Sequence, residues 1–322
     1  MGLTRRHFLR GTAVAGAACA VATVTVTEVR EEKTLPPKAV GLLFDSTLCV
    51  GCKACVTACR EANNTYPELN TEDKLWDVPL DLSARTLTVI KAYSEGSAEN
   101  KDQENDGFAF IKKSCLHCVD PSCVSVCPVT AMTKDPVTGV VSYNPSNCIG
   151  CRYCVEACPF GVPRFEYDKT IAHLRKCEMC KQRQVDGKIP ACAEVCPNGA
   201  TLFGSETRLR AEAERRLMLT VGERAFFPRK TVDSTDTHEK PSSRYNTKTY
   251  GLTEVGGTQV LYLAGVSFEK LGLPTLPEKS FVSTSEKIQH TLYKGMIAPA
   301  VLFSGLLFAV RRHANHNEKE KE

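Results

Sequence analysis

The sequence predicts an α+β fold made of small cysteine-rich units, followed by one C-terminal transmembrane helix. Three observations predict it. Sixteen of the 17 cysteines among the 322 residues fall into four groups of four. Short apolar or alternating segments stand close to these groups and indicate short strands. One uncharged apolar run stands near the C-terminus, and 42% hydrophobic with 24% charged residues excludes a disordered chain and a multi-span membrane protein.

Charge and motif content exclude several classes of function. The formal net charge is only +4, so no broad basic surface and no nucleic-acid partner are expected. The sequence contains no G-x-G-x-x-G motif and no P-loop, and no histidine of the body has an acidic or nucleophilic partner at motif spacing. We therefore expect no catalytic residue, and the chemistry is expected to lie in the cysteines.

The chain begins with a predicted export signal over residues 1–27. Arg5 and Arg6 precede an uncharged stretch of small residues over 11–27, a pattern typical of the twin-arginine signals that export folded proteins. An ordinary Sec signal is the alternative. Export after folding allows thiols to bind metal in the reducing cytosol before they meet an oxidising compartment. Cys19 lies inside this segment and is expected to be dispensable.

The apolar run near the C-terminus covers residues 295–310 and is followed by Arg311 and Arg312. As a helix it spans about 24 Å at about 1.5 Å per residue, and flanking residues lengthen it toward the ~30 Å hydrocarbon core. Positive flanks stay cytoplasmic. We therefore expect a single-pass anchor over 288–312, a cytoplasmic tail over 313–322 and the body outside. A buried core helix is the alternative.

The four cysteine groups share one spacing rule. They are Cys49-x2-Cys52-x2-Cys55-x3-Cys59, Cys115-x2-Cys118-x4-Cys123-x3-Cys127, Cys148-x2-Cys151-x2-Cys154-x3-Cys158 and Cys177-x2-Cys180-x11-Cys192-x3-Cys196. Groups one and three match the bacterial ferredoxin run that binds [4Fe–4S] clusters, and groups two and four widen the gap before the third cysteine. Proline follows the last cysteine of groups two, three and four, whereas Arg60 stands there in group one.

This spacing has a chemical reason. Three thiolates on a tight loop bind three irons of one cluster, while the fourth, on the helix that follows, faces the neighbouring cluster. Two groups therefore make two interleaved clusters, and four groups make four. Zinc ribbons also use Cys-x2-Cys pairs and remain an alternative, above all for group four. A disulfide framework is the other alternative.

The spacing between groups predicts two interleaved ferredoxin-like 2[4Fe–4S] units. Groups two and three form one unit over residues 112–165. Groups one and four form the other from two separated pieces, residues 28–111 and 166–205. Strand patterns support this division, with period-two or apolar runs at 86–90, 108–111 and 140–143.

Residues 206–287 are predicted to cover these units. Ser205 is placed to cap a helix that runs through Leu217. Residues 228–251 are polar and are expected to form an extended loop. Residues 256–263 are predicted to form a glycine turn followed by a short strand.

Four such groups in this order resemble the four-cluster iron–sulfur subunits of membrane-linked dehydrogenases and reductases. Within that class the chain resembles the HybA-like iron–sulfur subunits of hydrogenase-2 type membrane-bound [NiFe] hydrogenases. The resemblance lies in residues 44–52 (FDSTLCVGC), 115–121 (CLHCVDP) and 288–296 (IQHTLYKGM), together with the export signal. The β subunits of formate dehydrogenases and other molybdopterin oxidoreductases are the alternative, because they also carry four groups and a C-terminal anchor.

The resemblance implies four ligand sets. Set A is Cys49, Cys52 and Cys55 with Cys196; set B is Cys177, Cys180 and Cys192 with Cys59; set C is Cys115, Cys118 and Cys123 with Cys158; set D is Cys148, Cys151 and Cys154 with Cys127. It also implies a non-catalytic electron-transfer subunit with four [4Fe–4S] clusters on the periplasmic side of the cytoplasmic membrane. Its implied partners are the hydrogenase small and large subunits and an integral membrane quinone-reactive subunit.

Several residues near the groups have two possible roles. His117 either donates to a cluster sulfur or is an ordinary loop residue. Four basic residues either offset cluster charge or form a solvated face. They are Lys112, Lys113, Arg152 and Lys176. Four aromatic residues are expected to exclude water from the clusters. They are Phe110, Tyr143, Phe160 and Phe165.

Overall fold

The computed structural model describes residues 33–68, 78–167 and 174–319. It separates into two units, the body over 33–280 and a unit that contains the C-terminal helix. The predicted export signal over 1–27, with Arg5 and Arg6, lies outside the described residues.

The body combines short strands with short helices. Its strands are β1 (Val40–Asp45), β2 (Val89–Ser94), β3 (Asn100–Lys101), β4 (Gly107–Lys113), β5 (Met132–Lys134), β6 (Val141–Tyr143), β7 (Arg164–Phe165), β8 (Leu174–Arg175), β9 (Thr201–Ser205), β10 (Arg224–Pro228), β11 (Thr237–Pro241) and β12 (Val260–Leu263). The helices are α1 (Ala54–Ala62), α2 (Ser122–Ser125), α3 (Tyr153–Glu156), α4 (Lys181–Val185), α5 (Ala191–Glu194), α6 (Glu206–Leu217) and, after the body, α7 (Phe281–Lys319). The predicted α+β class is confirmed.

A three-stranded sheet in the order β12-β1-β9 joins distant parts of the body. The middle strand β1 runs parallel to β12 and antiparallel to β9. Five of its six residues are buried, as expected for an apolar strand that is covered on both faces. Because β1 ends at Asp45 and β9 begins just after Cys196, this sheet holds the start of group one beside the end of group four.

The other strand pairs lead into the remaining cysteine groups. A second sheet has the order β2-β4-β3, and β5–β6 and β7–β8 are antiparallel pairs. Each group begins a few residues after a strand: group two after β4, group three after β6 and group four after β8. The strands therefore serve as fixed supports from which the cysteine loops start.

Two strand predictions are confirmed and one is displaced. Residues 108–111 lie inside β4, and most of 140–143 forms β6. The strand expected at 86–90 instead begins at Val89 and runs to Ser94. The position of β2 is set by its partner strand, because Val89–Ser94 pairs residue for residue with residues 108–113 of β4.

In the covering segment the predicted helix is confirmed, as α6, although the Ser205 side chain accepts no capping hydrogen bond. The glycine turn into a strand is confirmed as well, as β12, with Gly256 and Gly257 in left-handed conformations. The loop expected over 228–251 is wrong in part, because Thr237–Pro241 forms β11 and pairs with β10.

The C-terminal helix α7 contains the predicted anchor over 288–312 and continues to Lys319, with Pro299 inside it. Within the described ranges of the chain, no helix combines the length and the apolar character needed to cross a membrane.

A buried ion pair joins α6 to the end of β1. Arg216 is fully buried and donates to Asp45 Oδ2 at 2.8 Å and to Glu212 Oε1 at 2.7 Å. The Tyr245 hydroxyl also donates to Asp45 Oδ2 at 2.8 Å, and the Thr47 hydroxyl donates to Asp45 Oδ1 at 2.7 Å. Burial favours a lower pKa for Arg216, but Asp45 and Glu212 outweigh it and raise the pKa. This network fixes the backbone directly before group one.

Replacing Arg216 by alanine is expected to lower the free energy of unfolding by about 3–5 kcal/mol, because it leaves the buried Asp45 carboxylate without its countercharge. Urea denaturation of the anaerobically purified protein measures the change. Arg208→Ala is the matched control on the same helix, since its ion pair with Asp233 is more than half exposed on both sides and is worth at most about 1 kcal/mol. Equal losses in the two variants would contradict this role for the buried pair.

Candidate metal sites

The loops that carry the cysteines share an uncommon backbone conformation. In every group the residue just before the second cysteine has a positive φ: Gly51 at 69°, His117 at 49°, Gly150 at 71° and Met179 at 52°. Glycine adopts this region freely, whereas His117 and Met179 adopt it at a cost of about 1–2 kcal/mol. The sequence signals this turn in groups one and three, through glycine, but not in groups two and four.

This turn directs backbone N–H groups at the first thiol of the loop. Gly150 N–H donates to Cys148 Sγ at 3.4 Å, and Met179 N–H donates to Cys177 Sγ at 3.3 Å. The corresponding N–H of Gly51 lowers the pKa of Cys49 against the larger effect of burial. N–H donors of this kind stabilise thiolate sulfur and tune the potential of iron–sulfur clusters.

Short helices carry the third cysteine of every group and bring different groups together. Cys55 lies in α1, Cys123 in α2, Cys154 in α3 and Cys192 in α5. Helix α1 packs against α5, and α2 packs against α3. Group one therefore meets group four, and group two meets group three.

Three cavities are each lined by cysteines of two groups. The first is lined by Cys49, Cys52, Cys55 and Cys196; the second by Cys59, Cys177, Cys180 and Cys192; the third by Cys127, Cys148, Cys151 and Cys154. In the described part of the chain, no three His, Cys, Asp or Glu side chains converge on one metal-ion position.

The remaining four cysteines are neighbours as well. Burial raises the pKa of Cys118 well above its ordinary value, and Cys115, Cys158 and Cys123 raise it further by Coulombic repulsion. In the structure, the four thiols of each of the sets A, B, C and D are therefore neighbours.

Burial also dominates the acid–base behaviour of most of these thiols. It raises the pKa of Cys154 to about 11, and the thiols raised to about 12 are Cys49, Cys55, Cys123 and Cys177. Thiolates within one set repel each other, so metal cations have to replace the protons. Four soft thiolate donors around a cavity fit a [4Fe–4S] cluster, for which four cysteine thiolates are the common ligand set.

The four sets lie in a row. Coulombic interactions link Cys55 of set A to Cys192 of set B, Cys177 of set B to Cys115 of set C, and Cys123 of set C to Cys154 of set D. Only the end sets have an exposed cysteine, Cys52 in set A and Cys151 in set D.

His117 is fully buried and does not face solvent. Its Nδ1 accepts a hydrogen bond from Val141 N–H at 3.0 Å, and its Nε2 has no partner among the described residues. Burial lowers its pKa well below the ordinary value, with Lys176 and Lys134 adding to the effect. The imidazole is therefore neutral and carries its proton on Nε2.

The four basic residues named from the sequence differ in burial, and Lys113 is partly buried. Lys112 and Lys176 are buried, so a solvated face is wrong for both. Lys176 Nζ donates to Cys177 O at 3.0 Å. Arg152 is exposed and lies over the rings of Phe165 and Tyr167 at 4.9 and 5.0 Å.

The aromatic residues line the sets. Phe110 is buried in the main core with partly buried Phe160, and Tyr143 and Phe165 pack on the core beside Cys127 and Cys154. Their predicted role in excluding water agrees with these positions.

Sequence reasoning missed Lys101. Its Nζ donates to the carbonyl oxygens of Ser46 at 3.0 Å and Thr47 at 2.8 Å, just before group one. Lys240 Nζ adds a second bond to Thr47 O at 3.1 Å. Both lysines come from segments without a motif, so no sequence signal marked them.

Residues 107–206 match the family model of the 4Fe-4S dicluster domain, and residues 2–22 match the model of the twin-arginine translocation pathway signal sequence. The chain is 45% identical over 324 residues to the hydrogenase-2 operon protein HybA of Escherichia coli O157:H7, covering 99% of this chain and 98% of that protein. It is 31% identical over 271 residues to the iron-sulfur subunit of the nitrate-inducible formate dehydrogenase of Escherichia coli (strain K12), covering 84% and 83%. It is 30% identical over 276 residues to the formate dehydrogenase iron-sulfur subunit of Haemophilus influenzae, covering 84% and 78%.

Gly51→Ala in group one is expected to lower stability and iron content more than Gly150→Ala in group three. Both substitutions carry the backbone cost of about 1–2 kcal/mol. A Cβ at Gly51 also meets the Phe110 ring at 2.6–2.9 Å, whereas a Cβ at Gly150 meets only Phe165, at 3.5 Å. The overlap adds about 1–3 kcal/mol.

This difference is measured by comparing each variant with the parent protein in iron content and in the denaturation midpoint. Equal losses would show that the backbone conformation matters and the Phe110 contact does not.

Proposed function

The chain belongs to the HybA family of iron–sulfur proteins, and from this premise we propose that it is the electron-transfer subunit of an exported, membrane-bound [NiFe] hydrogenase of the hydrogenase-2 type. The observation that carries the proposal is the row of four cysteine sets with its two exposed ends. The chain supplies no catalytic residue in this proposal. Hydrogen chemistry belongs to the hydrogenase small and large subunits, and quinone chemistry to an integral membrane subunit.

In this proposal sets A, B, C and D hold one [4Fe–4S] cluster each. Each bound cluster supplies a centre that accepts and releases one electron. Three cavities lined by four thiols each support this assignment, and so does the match of residues 107–206 to a dicluster domain. The two interleaved units, groups one with four and groups two with three, follow the helix pairs α1–α5 and α2–α3.

The two middle sets of the row contain no exposed cysteine, and the two end sets contain one each. Beside set A, Val50 is 51% exposed. Beside set D, Ile149 is 66% and Tyr153 is 60% exposed. Exposed apolar side chains next to an exposed ligand suit short-range contact with a partner protein. We propose that one end meets the hydrogenase and the other the membrane subunit.

Location follows from the two ends of the chain. The twin-arginine signal indicates export, and we propose that the body works on the periplasmic side of the cytoplasmic membrane. Large apolar side chains of α7 are exposed at 301–303 and again at 306–308. Consecutive positions point to different sides of a helix, so this segment is apolar all round. It supports the proposal that residues 288–312 attach the protein to the membrane and to its integral membrane partner.

A second candidate is the β subunit of a formate dehydrogenase or another molybdopterin oxidoreductase. The formate dehydrogenase iron-sulfur subunits, at about 30% identity, favour it as the runner-up. The electron-transfer role is common to both candidates.

Partner identity decides between them. The complex isolated through a tag after Glu322 is expected to contain nickel and to reduce a dye with hydrogen. Deleting the chain is expected to leave that dye reaction intact and to abolish hydrogen-dependent quinone reduction, because only the link to the membrane subunit is lost. A complex with molybdenum or tungsten, formate-dependent activity and no nickel would contradict the hydrogenase assignment.

The crossed sets predict that Cys59 and Cys196 serve different clusters. Cys59→Ser is expected to change the magnetic spectrum of the cluster in set B, and Cys196→Ser is expected to change that of the cluster in set A. The reference for both variants is the parent protein, which is expected to contain about 16 irons, four in each of four sites. Damage to one and the same cluster in both variants would show that groups one and four are each self-contained. Cys19→Ser is the control and is expected to change neither spectrum.

A further inference from the structure

Lys112 is a buried cation without an oxygen acceptor among the described residues. It lies in β4, the middle strand of the β2-β4-β3 sheet, opposite Ile90. Its side chain is 2% exposed, and its Nζ interacts with the Cys192 thiol. Lysine is almost never fully buried unless it is paired, because removing an ammonium from water is strongly unfavourable. This position therefore requires a negative partner.

No carboxylate among the described residues pairs with it. Lys112 lines the cavity of set B together with Cys59, Cys177, Cys180 and Cys192. Glu178 is the acidic residue of that lining, and its carboxylate accepts from Tyr143 N–H and forms an ion pair with Lys181 at 3.3 Å. The cysteines are the remaining source of negative charge around the ammonium.

The position of Lys112 relates it to two sets. It lines the cavity of set B, and the lining of the set A cavity does not include it. Its ammonium also interacts with Cys55 of set A. A cluster in set B is therefore expected to respond more strongly to its charge than a cluster in set A.

We propose that Lys112 is the built-in countercharge of the cluster in set B and that it raises the reduction potential of that cluster. The inference rests on the proposed function, because it takes the cysteines of set B to hold a cluster. Reduction adds a negative charge to the site. A fixed cation in a low-dielectric cavity stabilises the reduced form more than the oxidised form. Lys112 acts on the cluster through its charge and is not a ligand.

The test is a redox titration of the full-length protein in its complex, followed by magnetic spectroscopy. Lys112→Met removes the charge and keeps most of the side-chain volume, and Lys112→Arg keeps the charge. Lys113→Met is the matched control, because Lys113 is the next residue of the same strand and is not buried. Iron content is measured on every sample first.

Lys112→Met is expected to shift the midpoint potential of the set B cluster to a more negative value, with a smaller shift of the same sign at set A. Lys112→Arg and Lys113→Met are expected to stay close to the parent value. Loss of the set B cluster in Lys112→Met but not in Lys112→Arg would support the same conclusion, since only charge is missing. Unchanged potentials in Lys112→Met would overturn the proposal, and so would loss of the cluster in both Lys112 variants.

A parent protein with fewer than four clusters would instead refute the proposed function. The two failures are therefore distinguishable, because the iron content of the parent protein is measured before any variant is compared.

Discussion

Three cysteines of one group and the last cysteine of another surround each of the three cavities. The rest of the body depends on this sharing of cysteines between groups. A group that supplies its last thiol elsewhere has to lie against a group distant in sequence. The helix pairs α1–α5 and α2–α3 provide that contact. The β12-β1-β9 sheet provides it over the longest range, because it joins residues 40–45 to 201–205 and 260–263. Fold and metal binding are therefore coupled, as expected where ligands from separated segments meet at one site.

Polar side chains secure the backbone where group one begins. Asp45 is held by Arg216 and Tyr245, and the next carbonyl oxygens, of Ser46 and Thr47, accept from Lys101. A buried backbone carbonyl needs such a partner. These contacts involve no thiol, so they hold the start of the loop through bonds that are separate from the metal ligands.

The sequence alone was sufficient to identify the four cysteine groups and to predict the α+β class, because both depend on local patterns. It also explains one helix length. Proline follows the last cysteine of groups two, three and four, and the helices α2, α3 and α5 have four residues each, whereas Arg60 allows α1 to continue to Ala62. Proline lacks the N–H group and restricts the preceding residue, so it ends a helix. The missing proline therefore lengthens a helix without displacing Cys59 from its cavity.

Features set by tertiary contacts could not be read from the sequence. His117 and Met179 adopt a left-handed conformation that their side chains disfavour, so contacts elsewhere in the fold have to compensate for it. The start of β2 at Val89 depends on its pairing with β4. Polar composition indicated a loop over 228–251, but pairing with β10 makes part of it a strand. In each case the deciding partner is distant in sequence.

Cations are placed along the row of sets according to solvent access. Lysines without full solvent exposure lie at the two middle sets. Buried Lys112 lines set B, buried Lys176 donates to Cys177 O, and partly buried Lys134 donates to Cys118 O at 2.8 Å. Burial lowers the pKa of Lys134 to about 8, against the opposing effect of Cys118 and Cys115. Water screens charge at the exposed ends but not in the middle. Fixed ammonium groups therefore take the place of water where electrons would otherwise meet the highest electrostatic cost.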